Sequence, residues 1–295
     1  WAEAEGYDDL WFADSSGVDA LTTAAAVALN TNRCRIGTAI IPVFSRTPAV
    51  LASTAHVLHQ LSQGRFILGL GSSSQTMMEN WHGLNFEKPL TRVKETVELI
   101  QSMLRGEKSD YSGETVFSRG YRQLPLDAGA QPVYMAALRS KMLEAAAEWS
   151  DGVILNLFPK DALPRMMTHI RAGAERAGKA VEDVEIVCRH QVIVTDDKEA
   201  ARNMIRAAFA PYYATPVYNA FLAWAGGRIK IEPETIGDNC YYLGFLFTLA
   251  SLSYTLYQLG NGGGQGPRAV DLPDVISGFG VALSSTIVGV LLRVS

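Results

Sequence analysis

Two basic residues, Arg139 and Lys141, flank Ser140 where an apolar run at 132–137 gives way to helix formers. Free backbone N–H groups at a helix start, the positive end of its dipole and two cations suit a phosphate. The segment Ala137-Leu138-Arg139-Ser140-Lys141 is therefore a candidate anion cradle. An ordinary turn with Ser140 as the helix N-cap is its alternative. A second candidate is Gly69-Leu70-Gly71-Ser72-Ser73, where glycine lets backbone approach a ligand closely. It lacks the third glycine and the spaced acidic residue of a dinucleotide fingerprint, and it is not a P-loop. A tight turn after a strand is the competing reading. Asp14 and Ser15 close a third apolar run, 9–13, and are the catalytic candidates, with no acid or base assigned. Asp14 stands either to meet a ligand or to cap the segment that follows.

Metal chemistry has little support. His56 and His59 share a helical run at spacing three, but no acidic or cysteine partner is near, so they read as a helix face. Cys34, Cys188 and Cys240 are odd in number and far apart, which fits neither a metal knuckle nor a disulfide framework. A reduced, cytoplasmic setting is expected. Trp81 and His82 follow the run at 65–70 and could touch a substrate from a loop. His190 is given no role.

These residues need elements to position them. Strand signals at 9–13, 35–41, 65–70, 132–137, 151–157 and 184–194 alternate with helix signals at 21–29, 48–61, 90–104, 141–149, 161–177 and 198–209. Alternation of this kind predicts a parallel sheet covered by helices. Apolar residues at 93, 97, 100 and 104 make one helical stripe. Residues 106–131 read as a long insertion rich in turn chemistry. In a (β/α)₈ barrel the active site lies at the C-terminal strand ends, which picks out Asp14, Ser15, Ala39, Ile40, Gly69 to Ser73, Ala136 to Lys141 and Asn156. The formal net charge of −4, with acids and bases interspersed, argues against a nucleic-acid partner and leaves a small molecule.

Several stretches together resemble the luciferase-like monooxygenase and deazaflavin-dependent oxidoreductase superfamily. They are Gly6-Tyr7-Asp8-Asp9-Leu10-Trp11, the run 35–40 followed by Arg46-Thr47-Pro48, Leu61-Ser62-Gln63-Gly64-Arg65-Phe66 leading to Gly71, and Ser150-Asp151-Gly152. Arg176-Ala177-Gly178 fits as well. The resemblance covers about residues 2–226 and is nearest the methylene-tetrahydromethanopterin reductase-like branch. It implies an α/β fold, a (β/α)₈ TIM barrel, with the first and last strands missing here. It implies a deazaflavin coenzyme (F-420) or FMN, with the coenzyme phosphate at Ala137 to Lys141 and its tail along Gly69, Gly71 and Ser72. It also implies a non-proline cis peptide at Ala39-Ile40 behind the coenzyme ring. Some deazaflavin dehydrogenases carry His after the aspartate matching Asp14; Ser15 stands there instead, which weighs against sugar-phosphate dehydrogenase chemistry. A homodimer is among the expected partner states.

Beyond residue 227 the texture changes. Residues 240–259 and 275–292 carry no charge and are separated by a glycine-rich linker. About twenty apolar residues cross a bilayer core, and small residues such as Gly278 and Gly280 suit helix contact in lipid. The expected organisation is a barrel domain at 1–227 and a transmembrane helical hairpin at 228–295, attaching a cytoplasmic barrel to a membrane; two buried helices are the alternative. No cleavable signal peptide opens the chain, and Trp1 to Glu5 reads as a helix end. The leading function is a flavin- or deazaflavin-dependent oxidoreductase performing hydride transfer or monooxygenation of a small organic substrate. The alternative is an inactive, truncated or chimeric barrel that serves as a binding protein.

Overall fold

The computed structural model describes residues 1–15, 17–124 and 128–226. Along them run β1 (Asp9–Phe12), α1 (Ala20–Leu29), β2 (Arg35–Thr38), β3 (Ile41–Pro42), α2 (Pro48–Leu61), β4 (Phe66–Gly71) and α3 (Pro89–Leu104). A hairpin of β5 (Asp110–Ser112) and β6 (Phe117–Arg119) follows. Then come β7 (Val133–Ala136), α4 (Ser140–Trp149), β8 (Gly152–Leu155), α5 (Leu163–Arg176), β9 (Glu185–Cys188), α6 (Lys198–Ala214) and α7 (Pro216–Gly226). The main sheet has the order β1-β2-β4-β7-β8-β9, with β3 also paired to β4, and every pair in it is parallel. This is an α/β fold with a curled parallel sheet.

Period-two alternation sorts the strand residues onto two faces. Phe66, Leu68 and Leu70 pack outward with the helices in the large core. Ile67, Tyr134 and Ile154 face inward, joined by Trp11, Ala39, Ile40, Ala136 and Val187. The helices bury the stripe their sequences predict: Val93, Val97, Ile100 and Leu104 of α3 are all buried. Side chains fix the starts of α1 and α2, Asp19 accepting from the Thr22 N–H and Thr47 from the Val50 N–H.

One feature of register matters for the mouth of the sheet. Gly37 lies beside Ile67, but Ile41 lies beside Leu70, so four steps of one chain are spanned by three of its neighbour. The extra residue is a bulge at Ala39–Ile40, and the expected strand at 35–41 is split there. The Thr38 hydroxyl bridges the break: it donates to the Gly69 carbonyl at 3.0 Å and accepts from the Gly69 N–H at 2.9 Å.

Other expectations need correction. The strand expected over 184–194 stops at Cys188, where Arg189 N–H makes the last bond to β8, at Leu155 O. The insertion at 106–131 contains the β5–β6 hairpin, and α7 had no counterpart in the sequence reading. Residues 2–6 are turns that carry the bonding of a helix end, as expected: Glu5 N–H donates to Trp1 O at 3.0 Å, Gly6 N–H to Glu3 O at 3.2 Å and Tyr7 N–H to Ala2 O at 3.1 Å, with Gly6 at φ 91. No helix among the described residues is long and apolar enough to cross a membrane. The hairpin expected at 228–295 lies outside the described residues.

Candidate functional site

At the C-terminal strand ends the bulge supplies an apolar floor. The Ala39-Ile40 peptide is cis, as the resemblance implied. Ala39 N–H donates to Phe12 O at 2.7 Å, which ties the floor to the end of β1. A Cβ on Gly71 would stand 3.1 Å from the Ile40 side chain and 3.2 Å from the Ala136 Cβ, so glycine keeps this corner open. A Cβ on Gly69 would meet Thr38 O at 1.8 Å, so Gly69 is required by strand packing rather than by a ligand. Beyond them Ser72 donates to Ser73 O at 3.2 Å, and Ser73 sits at φ 61 with its hydroxyl 3.4 Å from Met77 Sδ.

Next to Ala136 the chain enters α4. Ala137 N–H donates to Ile154 O at 3.0 Å, Leu138 is half-buried, and Arg139 and Lys141 are exposed. Ser140 is not the cap. Arg139 holds the cap position, in extended backbone (φ −120, ψ 166), and no side chain caps the helix. Ser140 is already the first helical residue. Orphan N–H groups at the α4 start thus face the same end as two cations, which form no hydrogen bond or ion pair among the described residues. That arrangement favours an anion.

Asp14 is more committed than the sequence suggested. Its Oδ1 accepts the Ala20 N–H at 3.0 Å, which is the capping role anticipated as one alternative. Its Oδ2 pairs with Arg46, whose second nitrogen reaches Asp19 at 2.7 Å. Asp14 N–H also donates to Ile40 O at 3.2 Å. Ser15 is exposed and forms an isolated bridge with Val18. The structure therefore gathers Asp14, Ala39, Ile40 and Gly71 with Ala136 at one end of the sheet, from which Ala137 leads into Leu138, Arg139, Ser140 and Lys141.

Outlying candidates fall elsewhere. His59 is buried in the helix layer, not exposed, with Nδ1 3.3 Å from Phe66 O. No group of His, Cys, Asp or Glu able to hold a metal occurs among the described residues. Trp81, 56 % exposed, ends a π-helical turn, Met77–Trp81. The His190 ring lies edge-on to Phe158 at 5.4 Å.

The sequence reading missed a polar layer at the opposite, N-terminal end of the interior. Arg35 forks onto Asp9 at 2.7 Å through two nitrogens and reaches Glu185 at 2.7 and 2.9 Å. Tyr134 OH donates to Glu185 at 2.6 Å. The Arg35 fork holds the Glu185 carboxyl below the usual range, and burial, with Glu185 beside it, pushes the Tyr134 phenol up. The available signal was a charged residue opening each of β1, β2 and β9.

The family described as Luciferase-like monooxygenase matches residues 1–235. A 5,10-methylenetetrahydromethanopterin reductase of Methanolobus tindarius is 36% identical over 203 residues, covering 68% of this chain and 61% of that protein. A putative coenzyme F420-dependent oxidoreductase of Mycobacterium tuberculosis is 33% identical, covering 72% of this chain and 65% of its own length. The chain thus spans under two thirds of the length of these relatives. Among solved structures, the F420-dependent tetrahydromethanopterin reductase of Methanopyrus kandleri has a TM-score of 0.64 at 22% identity, covering 71% of this chain and 65% of that one. An FMN complex of a type II Baeyer-Villiger monooxygenase from Pseudomonas putida has a TM-score of 0.61 at 16% identity, covering 82% and 80%. These two likenesses show the fold alone.

Proposed function

We propose, because the chain belongs to the luciferase-like monooxygenase family, that it is an oxidoreductase working with a deazaflavin or FMN at the C-terminal mouth of its sheet. The curled sheet is then part of a (β/α)₈ barrel. The observation that carries the reading is the union of an apolar floor, an open glycine corner and an uncapped helix start beside two free cations. A planar ring fits the first two and a phosphate the third. Relatives above 30% identity named as a methylenetetrahydromethanopterin reductase and an F420-dependent oxidoreductase favour the deazaflavin.

When bound, the coenzyme supplies the hydride or electron chemistry toward a small organic substrate. The chain's part is orientation. Ala39 and Ile40 support one face, with Ala39 anchored on Phe12 O. The α4 N–H groups, Arg139 and Lys141 hold the anionic end. Asp14 keeps both oxygens on fixed donors and frames the floor rather than moving a proton. Ser15, exposed at the rim, is left to meet substrate.

Titration of the full chain with deazaflavin coenzyme and with FMN, read by fluorescence quenching, tests the reading. Saturable binding of one equivalent of either supports it. Failure to bind either one overturns it. The uncharged runs at 240–259 and 275–292 extend the proposal to a cytoplasmic barrel tethered to a membrane. Retention of the detergent-free full chain in the soluble fraction would sink that extension.

A further inference from the structure

We infer that Arg46 is a positioning residue, acting through Asp14 to fix the pitch of the Ala39–Ile40 floor; this rests on the coenzyme reading above. Asp14 holds the neighbouring segment at both ends. Its N–H donates to Ile40 O at 3.2 Å, and its carboxylate pairs with Arg46. The chain from Ile40 to Arg46 is thereby closed into a loop across a single residue at the end of β1.

Arg46 binds more than one piece of the mouth. Its guanidinium spans Asp14 and Asp19, while Asp19 caps α1 through Thr22 N–H at 2.7 Å and Asp14 accepts from Ala20 N–H. The end of β1, the start of α1 and the loop before α2 are joined at this one side chain. A planar fork can serve two carboxylates at once, whereas an ammonium is a point charge. The Arg46 and Asp14 side chains are only 20% and 14% exposed, so solvent screens their pair less than a surface pair.

The consequence lies at Ile40. Its side chain borders the open corner at Gly71. Ile40 O is anchored by Asp14, and the loop beyond it by Arg46. Beyond Ile40 the chain stays paired to β4, with Ile41 beside Leu70 and Val43 N–H donating to Gly71 O at 3.0 Å, so release of Arg46 acts on Ile40 through Asp14: the residue that anchors Ile40 O loses its own tether and the loop at 44–46 is freed, while the outward-facing core is untouched.

The test uses the full chain and two readouts: coenzyme affinity, and peptide-resolved hydrogen exchange over residues 41–46 without coenzyme. Arg46→Gln should raise the exchange rate in that segment and weaken binding about tenfold or more, the loss of a charge-assisted bond. Asp14→Asn should do likewise, and the double variant should be no worse than the worse single one. Arg46→Lys should fall between, restoring charge without the fork. Wild-type exchange and affinity in Arg46→Gln, or fully additive losses in the pair, would overturn the inference. If Arg46→Gln does not fold, Arg46→Lys and Asp14→Asn carry the same comparison. Should the wild type bind neither coenzyme, the coenzyme reading fails, and the exchange data alone decide whether Arg46 holds the segment.

Discussion

Arg35 and Glu185 meet at 2.7 Å although the strands that carry them, β2 and β9, are separated in the sheet by β4, β7 and β8. At about 4.8 Å per strand, a flat sheet would hold them roughly 19 Å apart. Two extended side chains cannot bridge that distance, so the pair reports the curl directly. Glu185→Ala should leave Arg35 with Asp9 alone and Tyr134 without its acceptor. Both members of the pair are near 40% exposed, so solvent screening reduces the effect. A loss of about 1–2 kcal/mol in urea unfolding is expected. Glu185→Gln, which can still accept from Tyr134, should lose less. An Ala variant as stable as the wild type would show that the layer does not hold the curl.

Glu95 gives a pH dependence with a definite sign. Its carboxylate, on the side of α3, accepts N–H bonds from Glu114, Thr115 and Val116 and the Thr115 hydroxyl at 2.6 Å. Burial pushes the carboxyl up, and these four donors more than offset it, so it is held below the usual range. A depressed folded value means the stabilisation is present above the unfolded value and is lost as pH falls through the folded one. Thermal unfolding should therefore show the hairpin tip loosening in acid. Glu95→Gln should destabilise at neutral pH by about 1–3 kcal/mol and should flatten the acid dependence. An unchanged acid profile in that variant would remove Glu95 as the cause.

Gly69 and Gly71 look equivalent in sequence but should respond differently to alanine. At Gly69 the new Cβ would lie 1.8 Å from the Thr38 carbonyl oxygen, a backbone atom in a sheet. Relief requires the strands to part, so a loss of about 1–3 kcal/mol or more is expected. At Gly71 the contacts are 3.1 and 3.2 Å, to Ile40 and Ala136 side chains, and Ile40 can give. Gly71→Ala should keep a near-native melting temperature and weaken coenzyme binding instead. Matching thermal losses in the two variants would contradict this division.

The contrast shows what a sequence can and cannot display. The α3 stripe at 93, 97, 100 and 104 was readable because helical burial repeats locally. The one-residue bulge at Ala39–Ile40 leaves no compositional mark; only the resemblance pointed to it. Arg35 and Glu185 lie 150 residues apart, and their meeting depends on strand order. The strand expected to run past Cys188 has the apolar residues to continue, Val192 and Val194, but β8 has already ended at Leu155. Ser140 was a sound cap by residue type, yet the β7–α4 turn stays extended through Arg139, which moves the cap back by one.

The phosphate assignment is open to a direct comparison of ligands. Arg139 and Lys141 are exposed beside the start of α4, where no side chain caps the helix. An anion there gains from free N–H groups and from charge-assisted bonds, which exceed neutral ones in strength. Replacing both side chains by alanine removes the cations and leaves the backbone donors in place. Binding of FMN should then fall about tenfold or more per lost contact, at roughly 1.5–3 kcal/mol each. Riboflavin has the same ring without the phosphate, so its weaker binding should change little. The FMN loss should also shrink as salt is raised, because exposed cations are screened. Titrating each variant with both ligands at two ionic strengths separates the outcomes. Equal losses for FMN and riboflavin would show that this turn does not hold the phosphate, leaving the Gly71–Ser72 corner as the segment to test next.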